Sequence, residues 1–360
     1  MPNKPRLLAL CAVLLATAAT AATAATAAPV TKTIRRFSGT LGTAAQMSVS
    51  LEITGTKVIG TCYALTPEPA KLTVYALEGT LTGKQLKLAE SDPEEPDPMA
   101  RIVATLSPMS SKSPLTTVVG SWRAVKDAAK PSPVSLTEEP LGTPPAIIRE
   151  LSLDRKSRKP RYEYGIAYPQ IVGKQPSDYV WVNSRLNQIA AGQARDMVKL
   201  ARELDDGSDP TQMAPNSLYA SYEVVEFTPQ FLSVRFVQSW YTGGVHPSSS
   251  SVTYNFDLTA KRELKLDDLW PPGTPYLRPL ALSAIAALCA DPAADYSMVT
   301  AGASTHASNY KNWNLTRNGL IITFDPYQVG PYAAGTQQVY YPLAKLGDIR
   351  PNVIRLLHAN

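Results

Sequence analysis

The sequence predicts a small, barrel-like, all-β N-terminal domain followed by an α+β domain whose antiparallel sheet has helices packed on it. Three observations carry this. Residues 34–123 read as short period-two runs broken by Gly-containing turns. A long stripe at helical spacing opens at Ser177, and a proline-rich stretch separates the two patterns. With 360 residues, 44% of them hydrophobic and 18% charged, the chain has material for about two cores, which excludes disorder as its overall state.

In the N-terminal domain, assigned to residues 30–124, Met47, Val49, Leu51 and Ile53 alternate before the turn Thr54-Gly55-Thr56. A Gly-Thr or Gly-Ser pair recurs at Gly39-Thr40, Gly60-Thr61, Gly79-Thr80 and Gly120-Ser121, each inside a strand-like run. Glycines in such positions mark the bends that a small barrel needs, and barrels of this size are usually filled by their own side chains. Residues 91–98 form an acidic, proline-broken hairpin loop without the spaced ligands or loop glycine of a calcium site. Residues 125–149 carry clustered prolines and few large apolar side chains, the composition of an extended linker.

The second domain is assigned to residues 150–360. Residues 161–171 alternate Tyr162, Tyr164, Ile166 and Tyr168 as a strand, and the helix that follows buries Val182, Leu186, Ile189, Met197, Leu200 and Leu204. Strands over 218–227, 231–241 and 249–258 form a meander joined at Thr228-Pro229 and Gly243-Gly244. A helix over 277–289 and strands over 319–324 and 337–341 complete an α+β order.

Lys4 and Arg6 precede the apolar run 7–16 and an Ala/Thr tract ending at Ala28, the order of a secretory signal peptide cleaved between Ala19 and Ala28. Its apolar part falls short of the roughly 20 residues a membrane span needs, so no span is expected after cleavage. Leu10 is too bulky to precede a lipidated Cys11. Export places the protein in the periplasm, the envelope or outside the cell. Loss of Lys4 and Arg6 lowers the net charge from +5 to +3, with no basic block longer than Arg35-Arg36, which gives no footprint for nucleic acid. Cys62 and Cys289 remain and read either as a disulfide or as two separately buried thiols.

Little in the sequence supports catalysis. The three histidines, His246, His306 and His358, stand at no metal spacing, and no Gly-x-Ser-x-Gly elbow occurs. Asp267-Asp268 reads as a helix-end pair and Asp205, Asp206 and Asp209 as a solvated turn. No cofactor or metal is expected. The loop 326–335 holds Tyr327 and Tyr332 between prolines and glycines, either as rigid ligand-facing rings or as plugs for the end of the sheet.

Several motifs then resemble a known family: Tyr168-Pro169-Gln170-Ile171, Tyr241-Thr242-Gly243-Gly244-Val245-His246, Tyr254-Asn255-Phe256-Asp257-Leu258, residues 264–269, and above all the run 324–335 with its two Pro-Tyr pairs. Over residues 162–346 the chain is similar to the secreted C-terminal domain of the lysozyme-sensing anti-sigma factor RsiV, which also occurs in some exported polysaccharide deacetylases. Only six residues precede the apolar run, so an anti-sigma role is not expected, and no deacetylase domain follows within the 360 residues. The resemblance implies a non-catalytic envelope binding or sensing module, with a lysozyme-like protein or wall glycan as partner. Tyr241, His246, Tyr327 and Tyr332 are its candidate binding residues. An enzyme acting on wall polysaccharide and a purely structural envelope protein remain the alternatives.

Overall fold

The computed structural model describes residues 30–41, 45–67, 70–91, 97–109, 116–125, 130–139, 147–173, 176–205 and 214–357. The proposed leader, the acids Asp206 and Asp209, most of the 91–98 loop and His358 lie outside these residues.

Eight strands make the barrel: β1 (Val30–Leu41), β2 (Ala45–Thr54), β3 (Lys57–Pro67), β4 (Ala70–Thr82), β5 (Gln85–Ser91), β6 (Ala100–Pro108), β7 (Thr116–Ala124) and β8 (Ser132–Glu139). Each pairs antiparallel with the next, and β8 pairs back onto β1 from Arg36↔Glu139 to Leu41↔Val134, which closes the cylinder. Strand alternation sends Phe37, Leu51, Val58, Leu88, Ile102 and Val118 inward to a packed core. The recurring glycines are required by strand proximity. A Cβ on Gly39, Gly60, Gly79 or Gly120 would lie 2.0, 2.2, 1.9 or 2.2 Å from a carbonyl oxygen of the neighbouring strand.

The linker reading of residues 125–149 is corrected here. Residues 132–139 are β8, and β9 (Ile147–Arg158) begins before the stretch ends. Val134 and Leu136 were too few to read as a strand among prolines, yet they complete the barrel core, and Pro133 is admitted at the start of the strand.

β1 also links the two units. Val30 to Lys32 pair with Ile148 to Glu150 of β9, and the same strand then enters the barrel. From β9 the large sheet runs through β10 (Arg161–Val172), β11 (Asn216–Thr228), β12 (Phe231–Tyr241), β13 (Ser248–Asp257) and β14 (Arg262–Glu263). β10 and β11 are parallel, because helix α1 (Val180–Glu203) crosses between them; the other neighbouring pairs in this sheet are antiparallel. α1 buries Val182, Leu186, Ile189 and Met197 on the sheet, as the stripe predicts. Further along, its buried contact is made by Ala190, Ala194 and Ala201, and Leu204 ends the helix 47% exposed. Small side chains continue the 3.6-residue face and let the helix approach the sheet, whereas Leu204 lies past the last helical turn.

The opposite face of β12 and β13 carries a second, three-stranded sheet, β15 (Trp313–Thr316), β16 (Gly319–Phe324) and β17 (Gln337–Pro342). Helices α2 (Leu277–Leu288), α3 (Tyr296–Gly302) and α4 (Pro351–Leu357) share its core. A buried polar network joins the two sheets. Asn255 Oδ1 accepts from Ser233 Oγ at 2.7 Å and Leu315 N at 3.2 Å, while Asn255 Nδ2 donates to the Trp313 carbonyl at 2.8 Å.

A buried ionic joint ties barrel to sheets. A bulge between Val224 and Glu226 turns the Glu226 carboxylate, 2% exposed, toward Arg36 of β1, with which it forms an ion pair. Arg36 Nη2 also donates to the Val224 carbonyl at 3.0 Å, and Arg317, in the β15–β16 turn, reaches Glu226 through its backbone N at 3.0 Å and Nη2 at 3.3 Å.

Candidate binding rim

Two loops meet beside the start of β13. After β12 the chain turns through Gly243 and Gly244 at φ 103° and 99°, backbone that favours glycine, and exposes Val245 fully. Tyr241, half-buried, fastens this turn by donating its hydroxyl to the Gly244 carbonyl at 3.0 Å. His246 follows, exposed, with Nδ1 2.8 Å from the Pro247 carbonyl.

The second loop leaves β16 at Asp325. Asp325 Oδ1 accepts from Ser251 N at 2.7 Å and Oδ2 from Asn312 Nδ2 at 3.1 Å, which seats the loop on β13. Burial pushes the Asp325 carboxyl up, and these donors, with the Lys311 and Arg235 charges, only partly offset it. Gln328 Nε2 donates to the Gly302 and Asn309 carbonyls at 3.1 and 3.0 Å, and a Cβ on Gly302 would sit 1.8 Å from the Gln328 carbonyl oxygen. The loop is therefore held on both sides of Tyr327.

Tyr327 itself has φ 69° and a side chain left in water, the residue being 60% exposed. A bulky residue in the left-handed region costs on the order of 1–2 kcal/mol. Burial of the ring does not compensate that cost. Tyr332, half-buried, packs between its neighbours: its ring centroid lies 5.4 Å from that of Tyr327 and 4.4 Å from that of His246, the latter at 29°. Its hydroxyl donates to the Pro247 carbonyl at 3.0 Å. The structure thus brings His246, Tyr332 and Tyr327 into one aromatic row, with Tyr241 behind it as the fastener of the glycine turn.

Three features escaped the sequence reading. Val245 is an exposed apolar tip beside the row, and Asp325 and Gln328 anchor the loop; the Asp preceding the first Pro-Tyr pair was the available signal. The third is a cleft of about 630 Å³ between barrel and sheet, lined in part by Glu52, Glu78, Glu150 and Glu223. These acids lie on four different strands, β2, β4, β9 and β11, and share one cleft only where the barrel faces the large sheet. At its wall, burial and then the Glu52 and Glu150 charges push the Tyr222 hydroxyl up.

Elsewhere Asp268 plays the helix-end role, accepting from Lys265 N at 2.9 Å and Arg262 Nη1 at 2.8 Å. Cys62 and Cys289 are free thiols, Cys62 buried in the barrel core and Cys289 partly buried against the core of the second sheet. Among the described residues no group of three or more His, Cys, Asp or Glu is placed to hold a metal, and no helix is long and apolar enough to cross a membrane.

Residues 155–249 match the family described as deacetylase PdaC, and residues 267–344 match the protein family of unknown function DUF3298. The Tyr241–His246 turn lies in the first segment and Tyr327 and Tyr332 in the second, so the row forms where the two meet. The peptidoglycan-N-acetylmuramic acid deacetylase PdaC of Bacillus subtilis is 25% identical over 190 residues, covering 52% of this chain and 39% of that protein. Immunogenic protein MPT64 of Mycobacterium tuberculosis is 27% identical over 107 residues, 30% of this chain and 46% of MPT64. The chain thus spans less than half the length of these relatives. A solved DUF3298 family protein from Bacteroides fragilis aligns at 15% identity over 62% of this chain and 100% of its own, with a TM-score of 0.43.

Proposed function

We propose that this protein is an exported cell-envelope binding module that recognises wall glycan through the row His246, Tyr332 and Tyr327, without catalysing a reaction on it. The observation that carries this reading is Tyr327, a bulky residue on left-handed backbone whose ring is 60% exposed. Strain of that kind persists where the surroundings impose it and is concentrated at binding and active sites. An exposed tyrosine ring offers an apolar face for a sugar ring and a polar tip for its hydroxyls. The partial likeness to a peptidoglycan deacetylase favours glycan over a lysozyme-like protein, and the charged, apolar and small-residue order of residues 1–28 favours export.

Co-sedimentation of the mature chain with purified peptidoglycan sacculi tests this. Wild type is expected to sediment with the sacculi, while Tyr327→Ala stays in solution with an unchanged melting temperature. Capture of lysozyme but not of sacculi would instead favour the protein-partner reading.

One observation favours a second reading, an enzyme acting on wall polysaccharide: the carboxylate-lined cleft supplies the acid and base residue types that glycan hydrolysis requires. Release of reducing ends from sacculi, abolished by Glu150→Gln and untouched by Tyr327→Ala, would support it.

A further inference from the structure

The polar groups of the rim define what it can accept. The Pro247 carbonyl oxygen is approached by two groups, His246 Nδ1 at 2.8 Å and the Tyr332 hydroxyl at 3.0 Å. A carbonyl only accepts, so Nδ1 carries the hydrogen and the Tyr332 hydroxyl donates. The Gly244 carbonyl is engaged in the same way by Tyr241. A neutral imidazole with hydrogen on Nδ1 has its lone pair on Nε2, and among the described residues no group bonds that nitrogen. Nor does any described residue bond the Tyr327 hydroxyl, whose ring lies at the other end of the row.

Resting on the binding function proposed above, we infer that His246 sets ligand specificity: its Nε2 accepts a hydrogen bond from a hydroxyl or acetamido N–H of a neutral pyranose whose apolar face stacks on Tyr327. The Nδ1 hydrogen bond to Pro247 selects the tautomer of the neutral ring that leaves Nε2 as the acceptor, and stacking 4.4 Å from the Tyr332 ring, itself tied to the same carbonyl by its hydroxyl, sets the orientation. The site therefore selects ligands that present a donor beside an apolar ring face. N-acetylated amino sugars of a β-linked glycan have that chemistry, and a purely apolar chain does not.

The test uses the full chain and a β-1,4-linked N-acetylglucosamine tetramer, with affinity read by calorimetry and the His246 ring nitrogens read by 15N NMR. The free protein should show hydrogen on Nδ1, and the tetramer should move the Nε2 resonance in the direction of a hydrogen-bonded acceptor. His246→Phe keeps a stacking ring without the acceptor and should weaken binding about fivefold, the loss of one neutral hydrogen bond. Tyr327→Ala should weaken it more than about tenfold. If His246→Phe binds like wild type, or Nε2 is unmoved at saturation while Tyr327→Ala still loses binding, the specificity role falls and the rim stands. If Tyr327→Ala also binds like wild type, both fall. Failure of the wild type to bind the tetramer while still capturing sacculi overturns the sugar class assigned to His246 and leaves the binding function intact.

Discussion

At Gly39, Gly60, Gly79 and Gly120 a Cβ would lie 1.9–2.2 Å from the carbonyl of an adjacent strand, whereas at Gly243 and Gly244 it would meet nothing within 4 Å. The barrel glycines exist because backbone is already there. The rim glycines exist because the chain must turn through positive φ in open space. The same contrast separates other groups in the two regions. Glu90, 3% exposed in the barrel, is met by Trp122 Nε1 at 3.0 Å, and Glu226, 2% exposed at the joint, is met by Arg36 and Arg317. Tyr327 sits in strained backbone with its ring in water. In the barrel and at the joint, close approach is matched by burial and serves architecture; at Tyr327 strain is not matched by burial, and that difference is what the proposed binding role rests on.

Glu226→Ala should produce the largest effect. It leaves the Arg36 and Arg317 guanidiniums facing each other without the carboxylate between them, and loss of one member of a buried ion pair costs about 3–5 kcal/mol. Chemical denaturation measures it; a loss below about 1 kcal/mol would mean that water reaches the joint. Gly79→Ala should come next, at about 3 kcal/mol from overpacking against the Lys87 carbonyl. Gly244→Ala, in open space, should cost about 1 kcal/mol but impair capture of sacculi. Equal stabilities for the two alanine variants would erase the contrast between barrel and rim.

Glu90→Gln should have a smaller effect that depends on pH. Burial raises the Glu90 carboxyl above its ordinary value, and the Trp122 hydrogen bond only partly offsets that. The folded state thus holds this proton more tightly than the unfolded state. No penalty exists below the unfolded value; it grows as pH rises toward the folded value and is constant above it. The substituted amide would keep an oxygen for Trp122 and never ionise, so the variant should gain stability over wild type as pH rises above the ordinary glutamate value of about 4.3. Parallel melting curves at each pH would show that Glu90 is not buried as described.

Periodic features were legible in the sequence because one face of each element is buried. Met47, Val49 and Leu51 alternate into the barrel core, and the meander 218–258 and the helix from Leu277 fall within one or two residues of their predicted bounds. β8 was not legible, since its two inward residues, Val134 and Leu136, are a single alternation about Ser135 in a proline-rich stretch and acquire meaning only when β1 closes the barrel. The parallel pairing of β10 with β11 was likewise hidden, being set by where α1 returns the chain. At the site, the Pro-Tyr pairs pointed to Tyr327 and Tyr332, and the structure places them beside His246. The cleft acids carried no local signal, because each is an ordinary outward residue of a different strand.

Tyr327→Gly tests the central claim most directly. Glycine accepts φ 69° without the side-chain penalty, so relief of about 1–2 kcal/mol competes with the greater backbone entropy of glycine, about 0.5–1 kcal/mol, and with loss of the contact to Tyr332. Melting and sacculus co-sedimentation are measured on the same preparation. The account predicts a melting temperature equal to or above that of wild type together with loss of co-sedimentation. A variant that is destabilised by several kcal/mol, as truncation of a core-plugging ring would be, and still sediments with sacculi would contradict it.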